Sequence, residues 1–288
     1  RGAPPRQARR QPGEAGFRAR EAHGLICYTR NFEDVILQRV FADIAQGFYL
    51  DVGASMPIND SNTYALYERG WRGIALEPLP FGQHWAQSRP EDQFLNVAVG
   101  ARSGQVKLHI YKSSQISSAM PTTVAHWKKH GRDAFTQLVV PCVTLDEVLD
   151  RHLAGRELHL LSIDVEGMEH EVLKGIDLRR HRPWVIVLEA VLPGGPEHAH
   201  HEWEPLLLQS RYVEVYFDGV NRFYLAEERG GLRGRFALPP NVWDEFESAA
   251  QIALQKENAA LKAELTALRA RLADAGNPPA LSERNPIE

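Results

Sequence analysis

The chain reads as an α/β protein built on a doubly wound, mostly parallel sheet, with one long helix appended. Three observations lead there. Between residues 23 and 242, short apolar runs that end in an acidic residue or a glycine alternate with amphipathic helical stretches, the pattern of a parallel sheet covered on both faces. Near the end of that region, residues 212–217 and 222–225 flank the turn Asp218–Gly219, which suits an antiparallel hairpin at a sheet edge. From residue 243 onward, leucines recur at heptad spacing, the period of a helix seam that meets another helix.

The elements follow in order. Residues 31–41 (NFEDVILQRVF) form an amphipathic helix whose first-turn acids suit the helix dipole. Residues 48–51 (FYLD) make a short strand that stops at a glycine turn. Residues 62–69 (NTYALYER) are helical and stop at Gly70. The next strand, 73–77 (GIALE), stops at Pro78, and 93–99 is a third. Residues 158–164 (LHLLSID) are a fourth strand, with a helix over 168–173, and 184–189 is a fifth. The hairpin closes the domain.

Bulk properties bound the function. A chain of 288 residues accommodates one α/β domain of about 200 residues plus tails. A formal net charge of −4 argues against a nucleic-acid partner. The two cysteines, Cys27 and Cys142, are far apart and lack metal-ligand spacing, which points to a reducing, cytoplasmic setting. The longest apolar run, 184–192 (WVIVLEAVL), contains Glu189 and is too short for a transmembrane segment. No signal peptide is read in the chain. The chain opens on Arg1 rather than Met, as a fragment of a longer protein would. Residues 1–22 carry arginine and proline with few large apolar side chains and read as a disordered basic tail. Residues 23–242 are the main domain, 243–275 the coiled-coil helix, and 276–288 a second disordered tail.

Several motifs carry chemistry. In FYLDVGAS, Asp51 ends a strand and Gly53 turns the chain, which opens the carboxyl end of a parallel sheet to a nucleotide-like ligand. The G-x-G-x-x-G fingerprint is absent, so there is no dedicated pyrophosphate cradle. A ligand with a ribose and a positive charge but no phosphate suits the site better, with Asp51 placed to face that charge. Glu77 closes the second strand, where a carboxylate accepts hydrogen bonds from both ribose hydroxyls. Asn96 and Ala98 in LNVAVG fall where an adenine would lie. In SIDVEGMEHEVLKG, Asp164 and Glu166 precede a helix. Glu169 and Glu171 fit helix N-terminal charges instead.

The run from about residue 28 to residue 242 resembles the FkbM family of methyltransferases. The stretches that carry the resemblance are RNFEDVIL, FYLDVGASMPINDSNTYALYERGWRGIALEPLP, LNVAVG, VTLDEVL, LSIDVEGMEHEVLKGIDLRRHRPWVIVLEA and YFDGVNRFYLAEE. The resemblance implies a class I, Rossmann-like methyltransferase fold with S-adenosylmethionine as methyl donor. It also implies an alcohol acceptor, such as a hydroxyl of a sugar, glycan or polyketide-like product. Ser55 and Met56 stand where many relatives carry Asn and Asp or Gly.

An alcohol gives up its proton reluctantly, so a base or a metal should assist. Asp164, Glu166 and Glu189 are the candidate bases, and no metal site is assigned, although the same carboxylates have the hard-oxygen chemistry of divalent-cation ligands. His198, His200 and His201 lie in a loop rich in glycine and proline, read as solvated or as an acceptor wall. Trp71, Arg72 and Trp184 are read as core or substrate-facing.

Leu254, Leu261 and Leu268 repeat every seven residues, and Asn258, Leu265 and Leu272 repeat offset by four. Glu257 with Lys262 and Glu264 with Arg269 are complementary across such a seam. A parallel homodimer through residues 243–273 is expected. The alternative function is a non-catalytic donor-binding or assembly module. A nicotinamide enzyme is disfavoured by the missing glycine pattern.

Overall fold

A computed structural model of the chain describes residues 24–111, 117–119, 121–129, 135–192 and 197–275. The tails read as disordered, 1–22 and 276–288, lie outside these residues. In chain order the elements are β1 (Leu25–Cys27), α1 (Glu33–Val40), β2 (Phe48–Val52), α2 (Tyr64–Glu68), β3 (Arg72–Leu76), α3 (Gly82–Ser88), β4 (Gln93–Leu95) and β5 (Ala98–Val99). Next come β6 (Gly104–Tyr111), β7 (Ser117–Ser118), α4 (Pro121–Lys129), β8 (Phe135–Val143), α5 (Leu145–His152), β9 (Leu160–Ile163) and α6 (Glu169–Lys174). The chain continues through β10 (Val185–Glu189), α7 (Glu204–Gln209), β11 (Tyr212–Phe217), β12 (Asn221–Ala226), β13 (Phe246–Ser248) and α8 (Ala249–Ala275).

The architecture is mixed α/β. Its main sheet has seven strands in the order β11-β12-β10-β9-β2-β3-β4. The pairs β10/β9, β9/β2, β2/β3 and β3/β4 are parallel. The pairs β10/β12 and β12/β11 are antiparallel. Strands buried on both faces read as continuous apolar runs, and β9 and β10 do so with LLSI and VIVLE. Alternate residues go to opposite layers. Leu50, Leu161, Ile163, Ile186 and Leu188 pack with Leu149, Val172 and Leu207 of the α5, α6 and α7 layer. Tyr49, Leu160, Val185, Val187 and Phe223 pack with Ile36, Leu37 and Val40 of α1 and with Trp71.

From β2 the chain first winds outward through β3 and β4, then returns to the other side of β2 with β9. The order of winding therefore reverses between β2 and β9, and a crevice opens outside their carboxyl ends.

The structure departs from the sequence reading in three places. The strand expected over 93–99 is split: β4 belongs to the main sheet, whereas β5 pairs with β8 in a second, four-stranded sheet of order β5-β8-β6-β7. The turn at Asn96–Val97 makes the transfer, held by Val97 N–H donating to Leu95 O at 3.0 Å. The second sheet itself was not read, although in β6 Val106, Leu108 and Ile110 alternate with Lys107 and His109, the period of a strand with one buried face. The last helix starts at Ala249 rather than 243. Phe246–Ser248 pair in parallel with Leu25–Cys27, so the folded domain continues to residue 248. The helix α8 that follows exposes Leu254, Leu261, Leu265, Leu268 and Leu272. No helix among the described residues is long and apolar enough to cross a membrane.

Candidate active site

Glycine at position 53 allows the two central loops to meet. Gly53 has φ +78°, and a Cβ there would lie 1.7 Å from the Asp164 carbonyl oxygen. Only glycine brings the turn after β2 against the turn after β9. The amides of Gly53 and Ala54 donate to Leu76 O at 2.9 and 3.2 Å, and Asp164 N–H donates to Val52 O at 3.0 Å. The three strand ends are thereby stitched into one floor.

Two carboxylates on that floor are braced from behind. Asp51 Oδ2 accepts from Thr63 Oγ1 at 2.6 Å, and Thr63 Oγ1 accepts from Arg89 Nη2 at 2.9 Å. Arg89 is itself fully buried, with Nε donating to Asp92 Oδ2 at 2.8 Å and the guanidinium 4.3 Å over the Trp85 ring. Burial pushes the Asp51 carboxyl up. Glu77 Oε2 accepts the Ser55 amide at 3.0 Å and Oε1 accepts the Leu79 amide at 2.7 Å. Each oxygen keeps a further lone pair for a ligand. Burial, with Asp164 and Asp51 adding repulsion, lifts the Glu77 carboxyl to about 7.

The turn after β9 is held in an uncommon backbone conformation. Glu166 has φ 53° and Gly167 φ 95°. Buried Glu169 fixes them, its Oε1 accepting from Val165 N–H at 3.3 Å and Gly167 N–H at 3.2 Å. Glu169 thus braces the turn rather than acting only as a helix-end charge, while Glu171 pairs with Lys174 at 2.7 Å on the surface. Ser118 Oγ donates to Glu166 O at 2.9 Å, which ties the second sheet onto the same turn.

Asp164 and Glu189 also line the cavity. Leu188 pairs with Ile163, so the next residues in register, Glu189 and Asp164, stand side by side. Asp164 is solvent-exposed and its side chain lines the cavity. Its carboxylate makes no hydrogen bond or ion pair among the described residues. Desolvation and the charges of Asp51 and Asp60 raise its carboxyl. Glu189 Oε2 is buried without a hydrogen-bond partner among the described residues. Burial, then Asp164, Glu166 and Glu169, push Glu189 up further still.

These groups line a cavity of about 660 Å3. Of the residues named from sequence, Asp51, Gly53, Glu77, Ala98, Asp164, Glu166 and Glu189 all reach it. Asn96 is not in its lining. Asn96 Nδ2 instead donates to Glu77 O at 2.8 Å and Leu79 O at 2.7 Å, bracing the loop while Val97, Ala98 and Val99 face the cavity. His198, His200 and His201 lie outside the lining, beside Trp203 and Phe217. Trp71 is core, donating to Ile44 O at 3.1 Å, and Trp184 stacks under Arg229. Among the described residues no group of three or more His, Cys, Asp or Glu is arranged to share a metal ion.

The mouth was missed by the sequence reading. Thr29, Arg30, Asn31 and Glu33 meet Val220 and Asn221 of the hairpin turn there. Asn221 Nδ2 donates to Glu33 Oε1 at 2.7 Å, and Asn31 N–H donates to Glu33 Oε2 at 3.2 Å. Burial lifts the Glu33 carboxyl to about 7. Neighbouring Asp34 serves the scaffold, accepting from Cys27 Sγ, Tyr28 N–H and Thr29 Oγ1. The one available signal was two adjacent acids heading an amphipathic helix.

The model of the methyltransferase FkbM domain matches residues 51–214, from the aspartate of the first floor loop to the hairpin. No curated protein matches the chain.

Proposed function

Because the chain belongs to the FkbM methyltransferase family, we propose that it binds S-adenosylmethionine in the cavity between β2 and β9 and methylates a hydroxyl of a sugar, glycan or polyketide-like acceptor. The carrying observation is the convergence of Asp51, Gly53, Glu77 and Ala98 on one cavity with Asp164, Glu166 and Glu189. The residues suit this donor. Glu77 retains acceptor lone pairs for ribose hydroxyls, and the lining is acidic. The single arginine in the lining, Arg30, is engaged with Asp60 at 2.7 Å. The strand order, with its reversal at β2 and β9, supports a class I, Rossmann-like reading.

The donor supplies a methyl group already activated on a sulfonium. The chain's own residues position the partners and manage one proton. Glu77 holds the ribose, and Asp51 faces the donor's charged end. Asp164 Oδ, unpartnered and open to the cavity, receives the acceptor's hydroxyl proton. Glu166 and Glu189 flank it. Exposed α8 supports a parallel homodimer through its leucine seam, and the reducing-compartment reading of Cys27 and Cys142 supports a cytoplasmic setting.

The test begins with binding. Titration calorimetry with S-adenosylmethionine should show micromolar affinity, and NAD should show none. Glu77→Ala should weaken donor binding by roughly 1.5–3 kcal/mol for each charge-assisted bond lost. An Asp164→Asn protein should still bind donor but transfer methyl about a hundredfold more slowly or worse. Acceptor identity follows from mass spectrometry of cellular glycans with and without the gene. Normal turnover by Asp164→Asn would remove the base assignment.

A further inference from the structure

We propose that Asp164 and Glu189 hold one shared proton in the free protein and release it to solvent when a cationic methyl donor enters the cavity, so that the base is ionised only in the donor complex. This rests on the donor reading above and deepens it.

The geometry is a pair of adjacent strand-end carboxyls for which no ion pair is formed among the described residues. Continuing the β9–β10 register sets Asp164 beside Glu189. Charged groups approach this pair from several elements. Asp51 comes from β2 and Glu77 from the end of β3. Glu166 and Glu169 come from the turn and α6, Glu33 from α1, and Asp60 from the loop after β2. The hairpin presents neutral Asn221. Arg30 in the lining is engaged with Asp60, Arg89 behind Asp51 with Asp92, and Arg222 on the neighbouring strand with Glu214 and Glu204. Two carboxyls side by side in such surroundings cannot both ionise, and one keeps a proton. Burial raises both carboxyls, joined by the charge of Asp164 at Glu189 and by those of Asp51 and Asp60 at Asp164. The buried, unpartnered Glu189 Oε2 is the atom that a retained proton would neutralise.

A positive charge within about 4–6 Å favours the ionised form of a carboxyl. Donor binding therefore removes the shared proton and leaves Asp164 ready to accept. The proton count closes. Methyl transfer from a sulfonium to a neutral hydroxyl yields a neutral thioether, an ether and one proton. The acceptor oxygen forms the bond to the methyl carbon, and the pair of the broken S–C bond stays on sulfur. The hydroxyl proton passes to Asp164. The pair thus regains from the acceptor the proton it lost at donor binding, and the product complex has the protonation of the free protein.

The test needs no acceptor. Wild-type protein is titrated near neutral pH with S-adenosylmethionine and, separately, with S-adenosylhomocysteine. Each titration is run in phosphate and in Tris, whose ionisation enthalpies differ. The sulfonium should release about one proton more than the thioether. In Asp164→Asn and in Glu189→Gln that difference should vanish while thioether affinity persists, which also reports that the variants fold. Equal proton release with both ligands in the wild type overturns the inference and leaves the donor reading standing. A full difference surviving in both variants also overturns it. Binding of neither ligand overturns the donor reading and this inference together.

Discussion

Glu33 and Glu77 line the same cavity, and each is held near 7 by burial before anything else. An unfolded glutamate titrates at about 4.3. Between about 4.5 and 7 the folded state binds protons that the unfolded chain has already lost, so ligand-free stability falls as pH rises through that window. Glu33→Gln removes one such group and keeps an oxygen to accept from Asn221. Its melting temperature should exceed wild type at about pH 8 and lose that advantage at about pH 5, read by thermal denaturation at both values. Parallel pH profiles for the two proteins would contradict the burial argument. The two residues also differ in how legible they were. Asp51, Glu77, Asp164 and Glu189 end apolar strands, so their place at a sheet edge follows from the local run. Glu33 and Asn221 meet only because α1 and the hairpin are packed together, 188 positions apart in sequence. Nothing local encodes that meeting.

At the scale of elements, the parallel strands were legible because both-sided burial demands uninterrupted apolar runs. The second sheet was overlooked, although β6 carries the apolar–polar alternation of a strand with one buried face. The break at Asn96 was hidden: LNVAVG is apolar on both sides of it, and only the hydrogen bonds from Asn96 to Glu77 O and Leu79 O mark a change of sheet. Two contacts between elements can be tested. Gly53→Ala forces a left-handed conformation costing roughly 1–2 kcal/mol and sets a Cβ against the Asp164 carbonyl. It should destabilise the fold by more than that strain alone and abolish donor binding, measured by urea denaturation and calorimetry. A folded Gly53→Ala protein with native affinity would show that the floor loops can part freely. Arg89 joins the end of α3 to β2 through Tyr49, Asp92 and Thr63. Arg89→Met leaves Asp92 buried without its cation, which should cost about 3–5 kcal/mol. A loss under about 1 kcal/mol, the scale of a surface pair, would mean that water reaches Asp92.

At the scale of the whole molecule, α8 is a 27-residue helix whose leucines are wet. Leu254, Leu261 and Leu268 share one stripe with Leu265, Leu272 and Asn258 at strict 3–4 spacing, which is a two-helix seam. Burying each leucine contributes about 1.5–3 kcal/mol relative to exposure, and the Glu257–Lys262 and Glu264–Arg269 pairs add a few tenths each. In the single chain Asn258 Nδ2 donates to Leu254 O at 2.9 Å. In a parallel pair it meets its twin instead, which fixes the register. The helix is anchored at its base, because β13 pairs with β1 and Phe246 packs on Phe32, between the cavity residues Asn31 and Glu33. Two truncations therefore separate assembly from the site. Deleting residues 250–288 removes the seam and spares β13. That protein should be a monomer by light scattering and bind donor as the full chain does. Deleting residues 243–288 also removes β13, leaves β1 without a partner and loosens the segment that carries Glu33. It should be monomeric, melt lower than the first truncation and bind donor more weakly. Matching melting temperatures for the two would show that β13 contributes nothing to the mouth. A full-length monomer at tens of micromolar would reject the seam.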